Sequence, residues 1–294
     1  MQPEIAVLDI QGQYRVYTQL YRAEAAEKTI ILVNGSFATT ASFAQTVRSL
    51  YPAFNVVLYD QPYAGQSKAH NHNQHVMTKE EEGLVLLELI DHFNADQLMS
   101  FSWGGVCATL ALAHRPKRIE KAVISSFSPV LNEPMRDYLE RGAHYLGALD
   151  RCNVGHLVND TIGKHLPALF KRFNYKHVSG LAEHEYLQMH AHIREVLGSD
   201  LGTAFTMASN INIPLLFVNG EWDEYTTHQE VKTFASHVVN ARFACIQGAG
   251  HFLEMEHKAA SRDTRQVVFD FLQPHGGDQR LCYRQTQNAG ALAF

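Results

Sequence analysis

Ser100-Phe101-Ser102-Trp103-Gly104-Gly105 follows the apolar run Gln97-Leu98-Met99 and opens the alanine- and leucine-rich stretch Val106–Ala113. A serine on so sharp a strand-to-helix turn is a nucleophile elbow. Its backbone is strained, and its flanking residues must be small because strand and helix nearly collide there. Ser100 and Gly104 are those small residues, with serine where the usual G-x-S-x-G pattern has its first glycine. Further along, Pro214–Asp223 reads as a buried apolar strand ending in a loop acid, and Gln247-Gly248-Ala249-Gly250-His251-Phe252 as a glycine-rich loop carrying a histidine after another strand. Serine, aspartate and histidine in that order, each just beyond the C-terminal end of a strand, make Ser102 a candidate nucleophile, His251 its base and Asp223 the acid that orients the base. A serine hydroxyl attacks well only when an imidazole accepts its proton, and an acyl-enzyme follows, so the chemistry predicted is acyl transfer.

The tetrahedral intermediate of such a reaction needs backbone N–H donors. The elbow supplies one from Trp103. The loop Asn34-Gly35-Ser36-Phe37 supplies the other from Ser36, with Phe37 as second choice. Asn34 stands where many proteins built on such a turn carry histidine, and the plainer reading of Asn34-Gly35 is a simple turn, which would leave the Trp103 donor in place. Asp60, opening Asp60–Ser67, competes as an orienter of His251, although its expected work is to shape the loop beside the nucleophile; Glu221 is a nearer competitor of Asp223.

Positioning these residues requires a buried sheet. Glu4–Ile10 and Tyr14–Tyr21 alternate polar and apolar residues around Gln11-Gly12-Gln13, as an antiparallel hairpin does. Apolar or β-branched runs follow at Thr29–Val33, Asn55–Tyr59, Gln97–Phe101, Lys121–Ser125, Ile213–Val218 and Arg242–Ile246, with helical periodicity between them at Ala41–Leu50, Lys79–Phe93 and Gly105–His114. That alternation predicts an α/β, mostly parallel, doubly wound sheet buried on both faces. It breaks after Pro129, and residues 131–210 read as an inserted helical cap between core segments 1–130 and 211–273, with a polar tail over 274–294.

Composition narrows the function. In 294 residues, 46% are hydrophobic and 19% charged, which suits a folded enzyme with one large core or one core plus an insertion; the formal charge of −5 gives no basic footprint for nucleic acid. No apolar run is long enough for membrane insertion, and Met1-Gln2-Pro3-Glu4 does not open a signal peptide, so a cytoplasmic protein is expected. Cys107, Cys152, Cys245 and Cys282 show no paired spacing and are expected to be reduced and mostly buried. The 17 histidines are scattered without metal-ligand spacing, so no metal site is expected.

One local field runs against the net charge. Thr161–Ala182 contains Lys164, Lys171, Arg172 and Lys176 and neither Asp nor Glu. It is either a solvated helix face or a dock for a phosphopantetheine-bearing partner, an acidic carrier protein or the phosphates of CoA.

With Val33–Phe43, Ser102–Gly105 and Asn219–Thr227, the chain resembles the PhaG/RhlA group of bacterial acyltransferases, which have the α/β-hydrolase fold. Met1–Thr18 and Ser125–Tyr138 resemble, within it, the branch of (R)-3-hydroxyacyl-ACP:CoA transacylases. The resemblance spans nearly the whole chain and is weakest after Leu272. It implies transfer of medium-chain (R)-3-hydroxyacyl groups from acyl carrier protein to CoA, joining fatty-acid synthesis to polyhydroxyalkanoate, with CoA and phosphopantetheinyl carrier as substrates and no bound cofactor. Release to water by a 3-hydroxyacyl-ACP thioesterase, or condensation of two 3-hydroxyacyl units for rhamnolipid, would share the acyl-Ser102 step and differ in what attacks it. The group's H-x4-D motif in the cap meets His177 here, with Ala182 in the acid's place, which leaves His177 a phosphate-contact or structural role. His192 is a candidate for lining the acyl or pantetheine channel. Outside this group stand a carboxylesterase for short esters and a binding protein that keeps the fold; the latter requires a broken triad, and all three members are present.

Overall fold

Eight strands form one sheet in the order β1-β2-β4-β3-β5-β6-β7-β8 in the computed structural model, which describes residues 1–72, 75–198 and 207–273. The strands are β1 (Glu4–Ile10), β2 (Tyr14–Tyr21), β3 (Thr29–Val33), β4 (Asn55–Tyr59), β5 (Gln97–Phe101), β6 (Lys121–Ser125), β7 (Leu215–Gly220) and β8 (Ala241–Ile246). The β1–β2 hairpin and the β2–β4 pair are antiparallel; every later pairing is parallel. The strand expected over Ile213–Val218 starts later, because β7 begins at Leu215 after Pro214 and continues to Gly220.

The two faces of the sheet carry separate cores. Ile31, Val33, Leu98, Ile124 and Phe217 meet helices α2 (Lys79–Phe93) and α3 (Gly104–Ala113) on one face. Ile30, Leu32, Met99, Val123 and Val218 meet α1 (Ala44–Leu50) and the last helix on the other. This is why the middle strands read as continuous apolar runs rather than alternating ones. Each fully buried aliphatic side chain contributes roughly 1.5–3 kcal/mol, so the strand ends that carry the candidate site rest on the stiffest part of the molecule.

Helix boundaries follow local chemistry. Thr78 caps α2 through the Glu81 N–H at 3.1 Å while the Glu81 carboxylate returns to the Thr78 N–H at 2.8 Å, and Asn94 closes the helix with a φ of 51°. The stretch from Ala41 begins as a 3-10 turn, Thr40–Phe43, before α1.

Between β6 and β7 the described residues form four longer helices: α4 (Glu133–Gly147), α5 (Arg151–Asp160), α6 (Ala168–Ser179) and α7 (Glu183–Gly198). They share their own apolar cluster, centred on Leu139, Val154, Val178, Tyr186 and Ile193, against which Phe37, Trp103, Tyr225 and Phe252 pack from the loops below. A short helix, α8 (His228–Val231), precedes β8, and α9 (Lys258–Leu272) ends the described chain. The sequence segment 274–294, with Cys282, lies outside the described residues. Of the remaining thiols only Cys107 is buried; Cys152 is exposed and Cys245 half-buried, a correction to the expectation of mostly buried thiols, since the surface of α5 and the edge strand β8 carry them. Among the described residues no helix is long and apolar enough to cross a membrane, and no group of His, Cys, Asp or Glu is placed to hold a metal ion.

Candidate active site

Ser102 leaves β5 with φ 51°, a left-handed conformation that a serine holds only where its surroundings enforce it. The Ser102 N–H donates to the Ser125 carbonyl at 2.8 Å, and the Gly105 N–H donates to the Ser102 carbonyl at 2.8 Å. Gly104 is obligatory at this crossing. A Cβ there would lie 2.4 Å from the Asn34 carbonyl oxygen and 2.9 Å from that of Val33, both backbone atoms that cannot step aside. The elbow is therefore pinned between β3 and β6.

From that turn the Ser102 Oγ meets His251 Nε2 at 2.8 Å, and His251 Nδ1 meets Asp223 Oδ2 at 2.8 Å. With Nδ1–H donating to the carboxylate, Nε2 is free to accept the serine proton. Asp223 is further held by the Tyr225 and Thr226 N–H groups at 3.0 and 3.1 Å on Oδ1 and by the Thr226 hydroxyl at 2.6 Å on Oδ2. Burial alone would push its carboxyl up. The His251 imidazole and the hydrogen bonds from His251 and Thr226 outweigh that and hold it below the ordinary carboxylate range, so it stays charged beside the base.

The loop that carries His251 is clamped by residues that spacing did not single out. Both oxygens of the buried Glu256 carboxylate accept backbone N–H groups, from Gly250 at 2.6 Å and Phe252 at 3.0 Å. Ser126, with φ 51°, donates its hydroxyl to the His251 carbonyl at 2.6 Å. Gly220 lets the acid and histidine loops touch: a Cβ on it would sit 2.2 Å from the Gly250 carbonyl oxygen. Thr226 lay inside the Asn219–Thr227 segment but carried no role. Glu256 and Ser126 offered no signal, because neither has a residue type or spacing that announces a loop clamp.

The competing acids are accounted for elsewhere. Asp60 accepts the Thr40 N–H at 2.7 Å and the Gln66 N–H at 2.8 Å, shaping the loop after β4. Burial pushes its carboxyl up, opposed by those hydrogen bonds. Glu221 accepts the Gly248 N–H at 2.8 Å, and Glu224 pairs with Lys164 at 2.6 Å.

The loop after β3 turns back on itself, the Ala38 N–H donating to the Gly35 carbonyl at 3.3 Å and Phe37 taking φ 58°. The N–H groups of Ser36, Phe37 and Trp103 find no protein acceptor among the described residues, which leaves all three as candidate oxyanion donors. Asn34 is buried and donates its Nδ2 to the Tyr59 carbonyl at 2.7 Å, bracing the turn.

A cavity opens directly from Ser102 and His251. It encloses about 1110 Å³ of atom-free space including its open mouth, and its wall is mostly apolar, with Phe43, Met99, Phe101, Ile162, Phe252 and Met255. A hydrocarbon chain attached at the serine would be shielded from water there.

The cap residues divide. His177 Nε2–H donates to the Phe37 carbonyl oxygen at 2.7 Å, tying α6 to the turn that carries the candidate oxyanion donors. His192 is 2% exposed, contacts the Met77 carbonyl at 2.6 Å, and lines a second, more polar chamber. Lys164, grouped with the cap cations in the sequence, is tied to Glu224, whereas Lys171, Arg172 and Lys176 on α6 have no ion-pair partner among the described residues.

Comparison with known proteins adds three findings. The family model of the alpha/beta hydrolase fold matches residues 28–258. The chain is 63% identical over 294 residues to the (R)-3-hydroxydecanoyl-ACP:CoA transacylase of Pseudomonas putida, covering 100% of this chain and 99% of that one, and 63% identical over 295 residues to the enzyme of the same name from Ectopseudomonas oleovorans, covering 100% of both. Among solved structures, the alpha/beta hydrolase MGS-M2 from a deep-sea metagenome library superposes with a TM-score of 0.74 at 18% identity, covering 95% of this chain and 100% of that one, a likeness of fold.

Proposed function

We propose, since the chain belongs to the alpha/beta hydrolase fold family and within it to the (R)-3-hydroxyacyl-ACP:CoA transacylases, that it moves medium-chain (R)-3-hydroxyacyl groups from acyl carrier protein to CoA through an acyl-Ser102 intermediate. The observation that carries this reading is the unbroken Ser102–His251–Asp223 hydrogen-bond chain opening onto a mostly apolar cavity. Residues 1–130 and 211–273 serve as the catalytic core, and 131–210 as the cap that covers it.

In this mechanism Ser102 Oγ attacks the thioester carbonyl carbon as its proton passes to His251 Nε2. Asp223 keeps the imidazole oriented and stabilises its charge. The N–H groups of Trp103 and Ser36, with Phe37 in reserve, receive the oxyanion. Collapse expels the pantetheine sulfur, which takes the proton from the imidazolium. The CoA thiol then gives its proton to His251 as its sulfur attacks the acyl-serine carbonyl, and when the tetrahedral intermediate collapses the imidazolium returns that proton to the departing Ser102 Oγ, releasing acyl-CoA. Every atom is supplied by the two substrates, so no bound cofactor is needed. Thiol substrates and cysteines without paired spacing suit the reducing cytoplasm.

The carrier protein is expected to dock on α6, where Leu169 and Phe173 are each 60% exposed beside Lys171, Arg172 and Lys176, cations without an ion-pair partner among the described residues. An acidic partner would meet both attraction and an apolar contact there. Joint charge reversal, Lys171→Glu with Arg172→Glu, should raise KM for carrier-linked substrate about tenfold. An unchanged KM removes this surface from the mechanism.

Mass spectrometry of products from (R)-3-hydroxydecanoyl-ACP, with and without CoA, tests the main reading. Hydroxydecanoyl-CoA formed only when CoA is present is the expected result. Free 3-hydroxydecanoate at one rate in both reactions would make the protein a thioesterase, and a dimeric ester acid would place it with the rhamnolipid enzymes.

A further inference from the structure

Two cavities flank the turn Gly35–Ala38, and they differ in chemistry. The apolar one begins at Ser102; its orphaned buried groups are the hydroxyls of Ser125 and Thr264, a lining that suits a hydrocarbon chain bearing one hydroxyl. The other, about 670 Å³ with its mouth, lies on the far side of the turn between core and α7. Its wall includes Asn34, Gln61, Lys79, Trp103, Gln188 and His192. Three buried polar atoms of these lining residues have no hydrogen-bond partner among the described residues: Asn34 Oδ1, Gln61 Oε1 and Trp103 Nε1. An unpartnered buried amide or indole group costs about 1–3 kcal/mol, so a chamber that keeps three of them is shaped for something that pairs with them.

The set contains two carbonyl-type acceptors and one N–H donor, and a secondary amide offers the complement, one N–H and one C=O. Charge points the same way. Lys79 Nζ is neutralised by Glu82 Oε2 at 2.7 Å and stands 5.4 Å from the centre of the Trp103 ring, so the chamber holds a closed ion pair rather than a bare cation for a phosphate. At its outer end Glu185, paired with Lys68 at 2.6 Å, belongs both to this chamber and to a surface depression that includes Phe173, Lys176 and His177 of α6. Glu185 is thus common to the chamber that holds the Trp103 indole and to the depression lined by Lys176.

Resting on the transacylase reading, we infer that the chamber bounded by Asn34, Gln61 and Trp103 is the subsite for the amide-bearing arm of the thioester. The acyl tail occupies the apolar cavity on the other side of the Gly35–Ala38 turn. The turn then separates the two arms that diverge from the reacting carbonyl, and one chamber serves donor and acceptor in succession because carrier protein and CoA present the same pantetheine amides. Gln61 and the Trp103 indole are specificity residues for that arm.

The test compares two thioesters of (R)-3-hydroxydecanoate, one with pantetheine and one with ethanethiol, which lacks amides. Gln61→Met keeps side-chain length and removes the acceptor. The ratio of kcat/KM for the pantetheine thioester to that for the ethyl thioester should fall about fivefold, through KM. A ratio equal to that of the unaltered protein overturns the assignment, whatever the absolute rates, because a purely structural role slows both substrates alike. If Gln61→Met does not fold, the unaltered protein answers alone: KM should rise stepwise from the pantetheine to the N-acetylcysteamine to the ethyl thioester, and equal values overturn the inference. Failure of the transacylase reading looks different, since the unaltered protein would then yield no hydroxydecanoyl-CoA from the carrier thioester and CoA.

Discussion

The strand ends that carry Ser102, Asp223 and His251 and the helices α4–α7 above them are built on different principles. In the first region each functional residue is fixed by backbone. Ser102 and Ser126 are locked to neighbouring strands through their N–H groups, Gly104 and Gly220 allow approaches that any Cβ would block, and Glu256 holds the histidine loop by two main-chain bonds. The second region meets the core through side chains: His177 on the Phe37 carbonyl, Gln188 bonded both ways to Met77, Lys68 on Glu185 and Lys164 on Glu224. Backbone clamps tolerate little displacement, whereas side-chain contacts on a separate apolar cluster can be exchanged singly. On the proposed mechanism, the bond-making chemistry falls to the rigid layer and the choice of substrate to the adaptable one.

The sharpest way to break this division is Ser102→Ala. It should lower turnover by at least roughly 10⁴-fold while leaving the melting transition unchanged or slightly higher, since the hydroxyl sits on a strained turn. Loss of labelling by a fluorophosphonate probe, alongside calorimetry, checks both halves; undiminished turnover would end the serine mechanism.

Gly104→Ala should strike stability and activity together. Its methyl would meet the Asn34 carbonyl oxygen at 2.4 Å, and displacing a core strand end costs about 3 kcal/mol or more. Urea unfolding would measure it, and a loss within a few tenths of a kcal/mol would show the elbow to be softer than its contacts imply.

The smallest effect belongs to the seam between the regions. Burial and the neighbouring Lys79 ammonium push the His192 imidazole down to about 4 from 6.5, against the pull of Glu82, the Met77 carbonyl and Glu80. Folded His192 is thus neutral where the unfolded chain binds a proton, so its contribution is complete above about pH 6.5 and is lost as the pH falls toward 4, by at most about 3 kcal/mol. Replacing it, His192→Gln, should flatten the pH dependence of stability across that window relative to the unaltered protein. A parallel pair of curves would mean that the imidazole is not sealed at the seam.

Much of the rigid layer was legible in advance. Continuous apolar runs marked strands buried on both faces, and glycines and small residues marked the turns, so the order of serine, aspartate and histidine at strand ends could be read directly. The ends of β7 shifted by two residues because Pro214 delays the strand, a local effect that hydrophobicity does not register. The cap's helices were legible as helices, but their partners were not. Lys164 reads in the sequence as one member of the positive field over Thr161–Ala182, and only the fold sets Glu224, from the loop after β7, beside it.

By itself, then, the sequence determined the sheet, the elbow and the serine, aspartate and histidine proposed to form and break an acyl bond, because strand burial and turn geometry depend on neighbours a few positions away. Tertiary structure alone decided which groups hold those residues and what surrounds them. Phe37 and His177 stand 140 positions apart, and Ser126 and His251 125 apart, so their pairing leaves no periodic trace. The polar chamber behind the Gly35–Ala38 turn has the same origin: Asn34, Gln61 and Trp103 follow the ends of three different strands, and only the fold brings them to one wall.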